Sequence, residues 1–93
     1  MDITVGSVVE SIKGRDTGNL YVVYKLLDDE YCLLVDGFAK KLQSPKKKKI
    51  KHIEVKNEKL ESIAKKFNAN TKVFDSEINS ALRMVKEKLA EDK

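Results

Sequence analysis

The segment VGSVVESIKGRDTGNLYVVYKLL, residues 5–27, places Gly14 and Gly18 on either side of Arg15 and Asp16, between two runs rich in valine, leucine and tyrosine. Glycine at such a position allows a backbone with positive φ or a close approach to another surface. The segment therefore predicts two strands joined by a tight loop with Arg15 at its tip. A simple hairpin loop with no further role is the alternative, because Gly-x-x-x-Gly between strands is a weak motif.

The flanking sequence continues the β pattern on both sides of this loop. Short runs rich in Val, Ile, Leu and Tyr cover residues 5–12, 20–27, 31–35 and 49–55, and turn-forming residues separate them. They predict a small β-barrel of four strands. In residues 20–27 both alternating sets of side chains are largely apolar, which indicates a strand that is covered on both faces.

The apolar period changes from two to about 3.6 in the C-terminal part of the chain, which predicts two helices. The first helix is predicted to begin at the cap residue Asn57, and the second at Asp75 or Ser76. The apolar stripes are Leu60, Ile63, Ala64 and Phe67 in the first helix and Ile78, Ala81, Leu82, Val85 and Leu89 in the second. We expect these stripes to pack on each other or on the barrel, and burial of the second against a twin would make a homodimer.

Charge is distributed unevenly along the 93 residues, which are enough for one small domain. The net charge of +4 favours polyanionic partners only weakly. The segment FAKKLQSPKKKKIKHI, residues 38–53, however, contains seven lysines and one histidine without an acidic residue. Such a patch attracts nucleic acid, anionic lipid or an acidic protein tail, and a solvated loop is the structural alternative. Nucleic acid is favoured because the lysines run into a predicted strand that would hold several of them rigidly.

The sequence gives no sign of an enzyme, a cofactor or a metal. Cys32 is the single cysteine and His52 the single histidine, and neither CxxC nor HxxxH spacing is present. Cys32 is predicted to be a small buried residue. The chain also has no predicted signal peptide or membrane span, so a cytoplasmic protein with no membrane partner is expected.

Among the aromatic residues, Phe38 is the candidate for stacking on a base, because it leads into the lysine segment. Tyr21, Tyr24 and Tyr31 alternate with aliphatic residues, which favours packing roles for them. The pattern as a whole favours recognition of folded RNA through its shape and its phosphates.

The segments VGSVVESIKGRDTGNLYVVYKLLDDEYCLLVDG and KKKKIKHIE resemble the KOW motif as it occurs in the L-fourteen-e family of large-subunit ribosomal proteins. The likeness covers about the first 55 residues. The positions that match the motif are Gly6, Gly14, Arg15, Asp16, Gly18, Asp36, Gly37, Lys51 and His52. The resemblance implies an SH3-like barrel in residues 1–55, whose KOW loop, residues 13–19, and basic loop lie against ribosomal RNA. The two predicted helices fall outside the motif and form a C-terminal extension in residues 56–93.

We therefore expect a non-enzymatic RNA-binding protein that is associated with the large ribosomal subunit or its assembly. The expected RNA-binding residues are Lys13, Gly14, Arg15, Gly18, Lys40, Lys41, Lys46, Lys47, Lys48, Lys49, Lys51 and His52. Two alternatives remain: a protein-interaction adaptor with a peptide groove, and a KOW module of transcription elongation.

Overall fold

The computed structural model describes residues 2–91 as an antiparallel sheet followed by two helices. The strands are β1 (Ser7–Ser11), β2 (Leu20–Leu26), β3 (Tyr31–Val35), β4 (Lys46–Lys49) and β5 (Ile53–Lys59). A 3-10 turn (Ile50–His52) links β4 to β5. The helices are α1 (Glu61–Asn68) and α2 (Asp75–Glu91). The strand order is β4-β3-β2-β1-β5, and the sheet is not closed into a barrel. The expected order of a small sheet and then two helices is confirmed, as a mixed α/β fold.

Two predicted boundaries are wrong. The single strand predicted over residues 49–55 is two strands, because the lysines of β4 pair with β3 although lysine has little intrinsic preference for strands. Asn57, predicted as a helix cap, lies within β5. The chain stays extended there because Lys59 pairs with Ser7 of β1, and the Leu60 N–H donates to the Gly6 carbonyl at 2.9 Å.

The sheet is strongly coiled, as the link between its two edge strands requires. In a flat sheet β4 and β5 would lie about 19 Å apart, four spacings of roughly 4.8 Å. A 3-10 turn advances only about 2 Å per residue, so Ile50–His52 cannot cover that distance. Coiling brings the edges together, and the Ile12 N–H donates to the His52 carbonyl at 3.0 Å. The 3-10 turn therefore lies beside the start of the loop that joins β1 to β2.

Both faces of the sheet are buried, as the two apolar sets of β2 predicted. One face forms a core from strand residues, which the coiled sheet encloses: Val9, Tyr21, Val23, Cys32, Leu34 and Ile53. The other face packs against the helices, and its buried members are Val8, Val22, Val35, Ile63, Val73, Ile78, Leu82 and Val85. The apolar stripe of α2 is therefore used to cover the sheet. No helix within residues 2–91 is long and apolar enough to cross a membrane.

Candidate nucleic-acid interface

The loop between β1 and β2 is tight and closed by backbone hydrogen bonds. Gly14 and Gly18 have φ angles of +97° and +95°, so the predicted positive-φ backbone is confirmed at both positions. The Gly18 N–H donates to the Ser11 carbonyl at 2.8 Å, across the base of the loop. Arg15 projects from the loop into solvent, and within residues 2–91 its side chain makes no hydrogen bond or ion pair. Its donors are therefore available to an external ligand.

Asp16 connects this loop to β4. The Lys48 Nζ donates to Asp16 Oδ1 at 2.9 Å and to the Lys13 carbonyl at 2.8 Å. The Lys46 Nζ lies 3.1 Å from Asp16 Oδ2. Two hydroxyl groups complete the arrangement, because Ser11 Oγ donates to Oδ1 at 2.8 Å and the Tyr21 hydroxyl donates to Oδ2 at 2.9 Å. Five residues from β1, the loop, β2 and β4 thus meet at one carboxylate.

The Asp16 carboxylate is held ionised in a nearly enclosed site. Only 10% of its side chain and 10% of the Lys48 side chain are exposed. Burial alone would raise the pKa of Asp16, but hydrogen bonds from Lys48, Ser11, Tyr21 and Lys46 outweigh that cost and lower the pKa below its ordinary value. Burial raises the pKa of Tyr21 to about 12, and the adjacent carboxylate adds to this. The Tyr21 hydroxyl therefore stays protonated as a donor to Asp16 at neutral pH.

The lysines of β4 are divided between two sides of the strand. Lys48 pairs with Cys32 and Lys46 with Leu34 in the sheet register, so both lysines point toward the enclosed face, where Asp16 lies. Lys47 and Lys49 point the other way, and their Nζ atoms lie 4.6 and 5.9 Å from the centre of the Tyr31 ring. Two of the four β4 lysines thus stabilise the fold, and the other two face outward.

Two contacts bring the β1–β2 loop close to β4 and the 3-10 turn. The Lys48 Nζ donates to the Lys13 carbonyl at 2.8 Å, and the Ile12 N–H donates to the His52 carbonyl at 3.0 Å. The pKa of His52 is lowered by partial desolvation and by the positive charges of Lys13, Lys51, Lys49 and Lys48, which come from these segments. Lys13 and Lys51 are exposed, and within residues 2–91 neither side chain makes a hydrogen bond or ion pair.

The remaining predicted residues, Lys40 and Lys41, lie on a different loop, between β3 and β4. This loop also carries Phe38, whose side chain is 75% exposed. Sequence reasoning missed how the loop is held, because its anchor is the start of α2, more than thirty residues away in the chain. It also assigned Asp16 only a hydrogen bond to the turn backbone, whereas the carboxylate joins its own loop to β1, β2 and β4.

The structure also bears on a metal site and on the single cysteine. Within residues 2–91, no group of three or more His, Cys, Asp and Glu side chains is placed to hold a metal ion. Cys32 is buried, as predicted, and burial raises the pKa of its thiol to about 11. The thiol is therefore protonated and shielded, which is a structural role.

Comparison of the sequence with protein-family models gave no match, and comparison with curated proteins gave none.

Proposed function

We propose that this protein binds folded RNA through phosphate contacts, as a KOW-type protein of the large ribosomal subunit or its assembly. The observation that carries the proposal is the junction at Asp16. It fixes the β1–β2 loop to β4, so that Lys13 and Arg15 of the loop are held next to the strand that carries the lysines. We define the basic surface as Lys13, Arg15, Lys47, Lys49, Lys51 and His52.

The charge state of this surface favours a polyanionic ligand. Some lysines elsewhere in the structure have acidic partners, such as Lys56 with Glu10 and Lys66 with Glu77. Lys13, Arg15 and Lys51 have no such partner within residues 2–91, although the chain contains 15 acidic residues. Adjacent cations repel each other, and phosphate groups would remove that repulsion while releasing counterions from the RNA.

An alternative explanation exists for the lysines of β4 alone. Strand β4 lies at an edge of the sheet, and lysines on an edge strand prevent pairing with another chain. The edge-strand explanation does not apply to Lys13, Arg15 and Lys51, because they lie outside β4. They therefore form the part of the surface that tests the RNA proposal most directly.

The fold is compatible with the SH3-like class that the KOW resemblance implies. Supporting features are the small size of the sheet, its coiling, and the pairing of the last strand with the first. The positive-φ glycines at both ends of the KOW loop also agree with the resemblance. These features support the family assignment, which carries the ribosomal part of the proposal.

Salt dependence of RNA binding provides the first test. If about four cationic groups neutralise phosphates, the plot of log affinity against log salt concentration should have a slope near −3 to −4. The triple variant Lys13→Ala, Arg15→Ala, Lys51→Ala should reduce the size of that slope by about 2 to 3, since each lost contact removes roughly 0.7 to 0.9. Fluorescence anisotropy with a labelled RNA hairpin, from about 50 to 200 mM salt, measures both slopes.

The matched control removes the same number of positive charges from other parts of the protein surface. Lys59, Lys65 and Lys86 are exposed on β5, α1 and α2, and their replacement by alanine also removes three positive charges. This control should keep a slope close to that of the wild type. Equal slopes for the two triple variants would show that only overall charge matters, and the assigned surface would be wrong.

Sedimentation tests the ribosomal part of the proposal. We expect the tagged protein to travel with the large subunit in sucrose gradients of a lysate from the source organism, and the variant lacking Lys13, Arg15 and Lys51 side chains to be displaced at lower salt. Recovery of the wild-type protein only at the top of the gradient, at both moderate and high salt, would exclude ribosome association. Partner binding that survives nuclease treatment would then favour the adaptor.

A further inference from the structure

We propose that Phe38 is a stacking platform for one unpaired nucleobase of the bound RNA, with Lys40 and Lys41 contacting the phosphates beside it. This inference rests on the proposed function and extends the interface from the basic surface to a second loop. It also specifies the kind of RNA: a helix that carries a bulge or loop, since a base inside a continuous duplex has no free face to stack.

Phe38 is exposed at a position that the fold keeps rigid. The Asp36 Oδ1 atom accepts hydrogen bonds from the Phe38 N–H at 2.9 Å and the Lys40 N–H at 2.7 Å. The Lys40 carbonyl accepts from the N–H groups of Asp36 and Gly37, at 2.8 and 3.1 Å. Residues 36–40 thus form a turn that is closed by four hydrogen bonds, with the Phe38 ring on its outside.

Helix α2 holds this turn in place. Asp75, the first residue of the helix, accepts a hydrogen bond from the Leu42 N–H at 2.8 Å through its Oδ1 atom. The Asn79 side-chain amide approaches the Asp36 carbonyl at 3.5 Å. Gly37 lies directly against the backbone of α2. The loop is therefore attached to the core at both ends of the turn, although its aromatic side chain contributes little to that attachment.

An exposed ring on a rigid turn is suited to ligand binding for an energetic reason. A mobile aromatic side chain loses conformational freedom when it binds, and a backbone that is already ordered reduces this cost. The ring at Phe38 does not help to build the core, because 75% of it is exposed. Stacking on a nucleobase covers the ring without requiring a particular base, because every base has a π face.

The position and charge of the loop favour RNA as the occupant. The antiparallel order places the β1–β2 and β3–β4 loops at the same end of the sheet, so Phe38 and the KOW loop lie on neighbouring connections. Lys46, which follows the β3–β4 loop, contacts Asp16 of the β1–β2 loop. Lys40 and Lys41 make no side-chain hydrogen bond or ion pair within residues 2–91. Two free cations beside an exposed ring match the alternation of phosphate and base in a nucleic acid.

The test compares two RNA duplexes, each annealed from two strands so that no hairpin loop is present: one is fully paired, and the other has a single-nucleotide bulge that contains 2-aminopurine. Phe38→Ala should weaken binding to the bulged RNA by about 5- to 100-fold and leave binding to the paired RNA nearly unchanged. Phe38→Trp should retain the affinity of the wild type, and Phe38→Leu should behave like alanine because it is apolar but has no ring. Wild-type protein should also quench 2-aminopurine fluorescence.

Met84→Ala is the control for loss of an exposed apolar side chain. Met84 is 71% exposed and lies on α2, outside both the basic surface and the β3–β4 loop. The Met84→Ala variant should leave binding to both RNAs unchanged, and thermal unfolding should show that the Phe38 variants remain folded.

Four outcomes would overturn the inference. Equal losses of affinity of Phe38→Ala for both RNAs, or full affinity of Phe38→Leu for the bulged RNA, would exclude base stacking. If wild-type protein binds both duplexes with a salt slope that depends on Lys13, Arg15 and Lys51, and Phe38→Ala changes neither affinity, the Phe38 platform fails while the proposed function survives. If wild-type protein binds neither duplex, both proposals fail.

Discussion

Asp16→Asn is expected to lower the free energy of unfolding by about 3 kcal/mol at pH 7, the scale for breaking a buried ion pair. The substitution keeps the size of the side chain but removes the charge that Lys48 and Lys46 neutralise. The Lys48 side chain, which is only 10% exposed, would then have no anion beside its charge, and its hydrogen-bond acceptors would be the neutral amide oxygen that the substitution creates and the Lys13 carbonyl. The melting temperature should fall by about 10 to 20 °C for a domain of this size.

Lowering the pH should reduce the difference in the free energy of unfolding between the wild type and the Asp16→Asn variant. The pKa of Asp16 is lower in the folded chain than its ordinary value of 3.8, so the unfolded state binds a proton first as the pH falls. The stabilisation from Asp16 is therefore complete above about pH 5 and is lost progressively below about pH 4. Urea unfolding from neutral pH to about pH 2.5 measures the free energy of unfolding of both proteins. The difference between the two values should be constant at first and should then shrink as the pH falls.

Glu77→Gln is the matched control for removal of a paired carboxylate. Its partner is Lys66, but the side chains of this pair are 29% and 39% exposed. Solvent screens such a pair, so its loss should change the free energy of unfolding by about 1 kcal/mol or less. If Asp16→Asn is as mild as Glu77→Gln at pH 7, then Asp16 does not hold the loop to β4 energetically.

Gly37→Ala is the second substitution with a large expected effect, about 2 to 4 kcal/mol of lost stability. A Cβ atom at position 37 would meet the backbone of α2, with the Asp75 carbonyl oxygen and the Asn79 nitrogen within 2.8 Å. Neither atom belongs to a flexible side chain, so the loop or the helix has to move. The φ of +75° adds a conformational cost that glycine does not have. Thermal or urea unfolding measures the loss.

Gly18→Ala separates the two causes of the lost stability in Gly37→Ala, which are the positive φ and the contact with α2. Gly18 has a φ of +95°, but a Cβ atom there would meet nothing within 4 Å. This variant should lose only about 1 to 2 kcal/mol, which is the cost of the left-handed backbone alone. The excess loss in Gly37→Ala then measures the contact between the β3–β4 loop and α2. Equal losses in the two variants would mean that the helix does not hold the loop.

Much of the fold follows from patterns that are local in the sequence. The alternation in β2 predicted a strand with two covered faces, and the period near 3.6 predicted both helices, because amphipathic patterns record which side of an element is buried. The boundaries at Asn57 and across residues 49–55 could not be predicted in this way. Pairing of β5 with β1 keeps Asn57 extended, and pairing with β3 makes a strand of four lysines.

The sequence by itself determined the tight glycine loop, the concentration of lysines and the order of sheet and helices, because turn chemistry, charge and apolar period are properties of neighbouring residues. Only the tertiary structure decided which lysines remain available to a ligand. Lys46 and Lys48 face Asp16 while Lys47 and Lys49 face outward, since the coiled sheet brings a carboxylate thirty residues away to one side of β4. Such a contact depends on strand register and coiling, and neither can be predicted from the residues of the lysine tract alone.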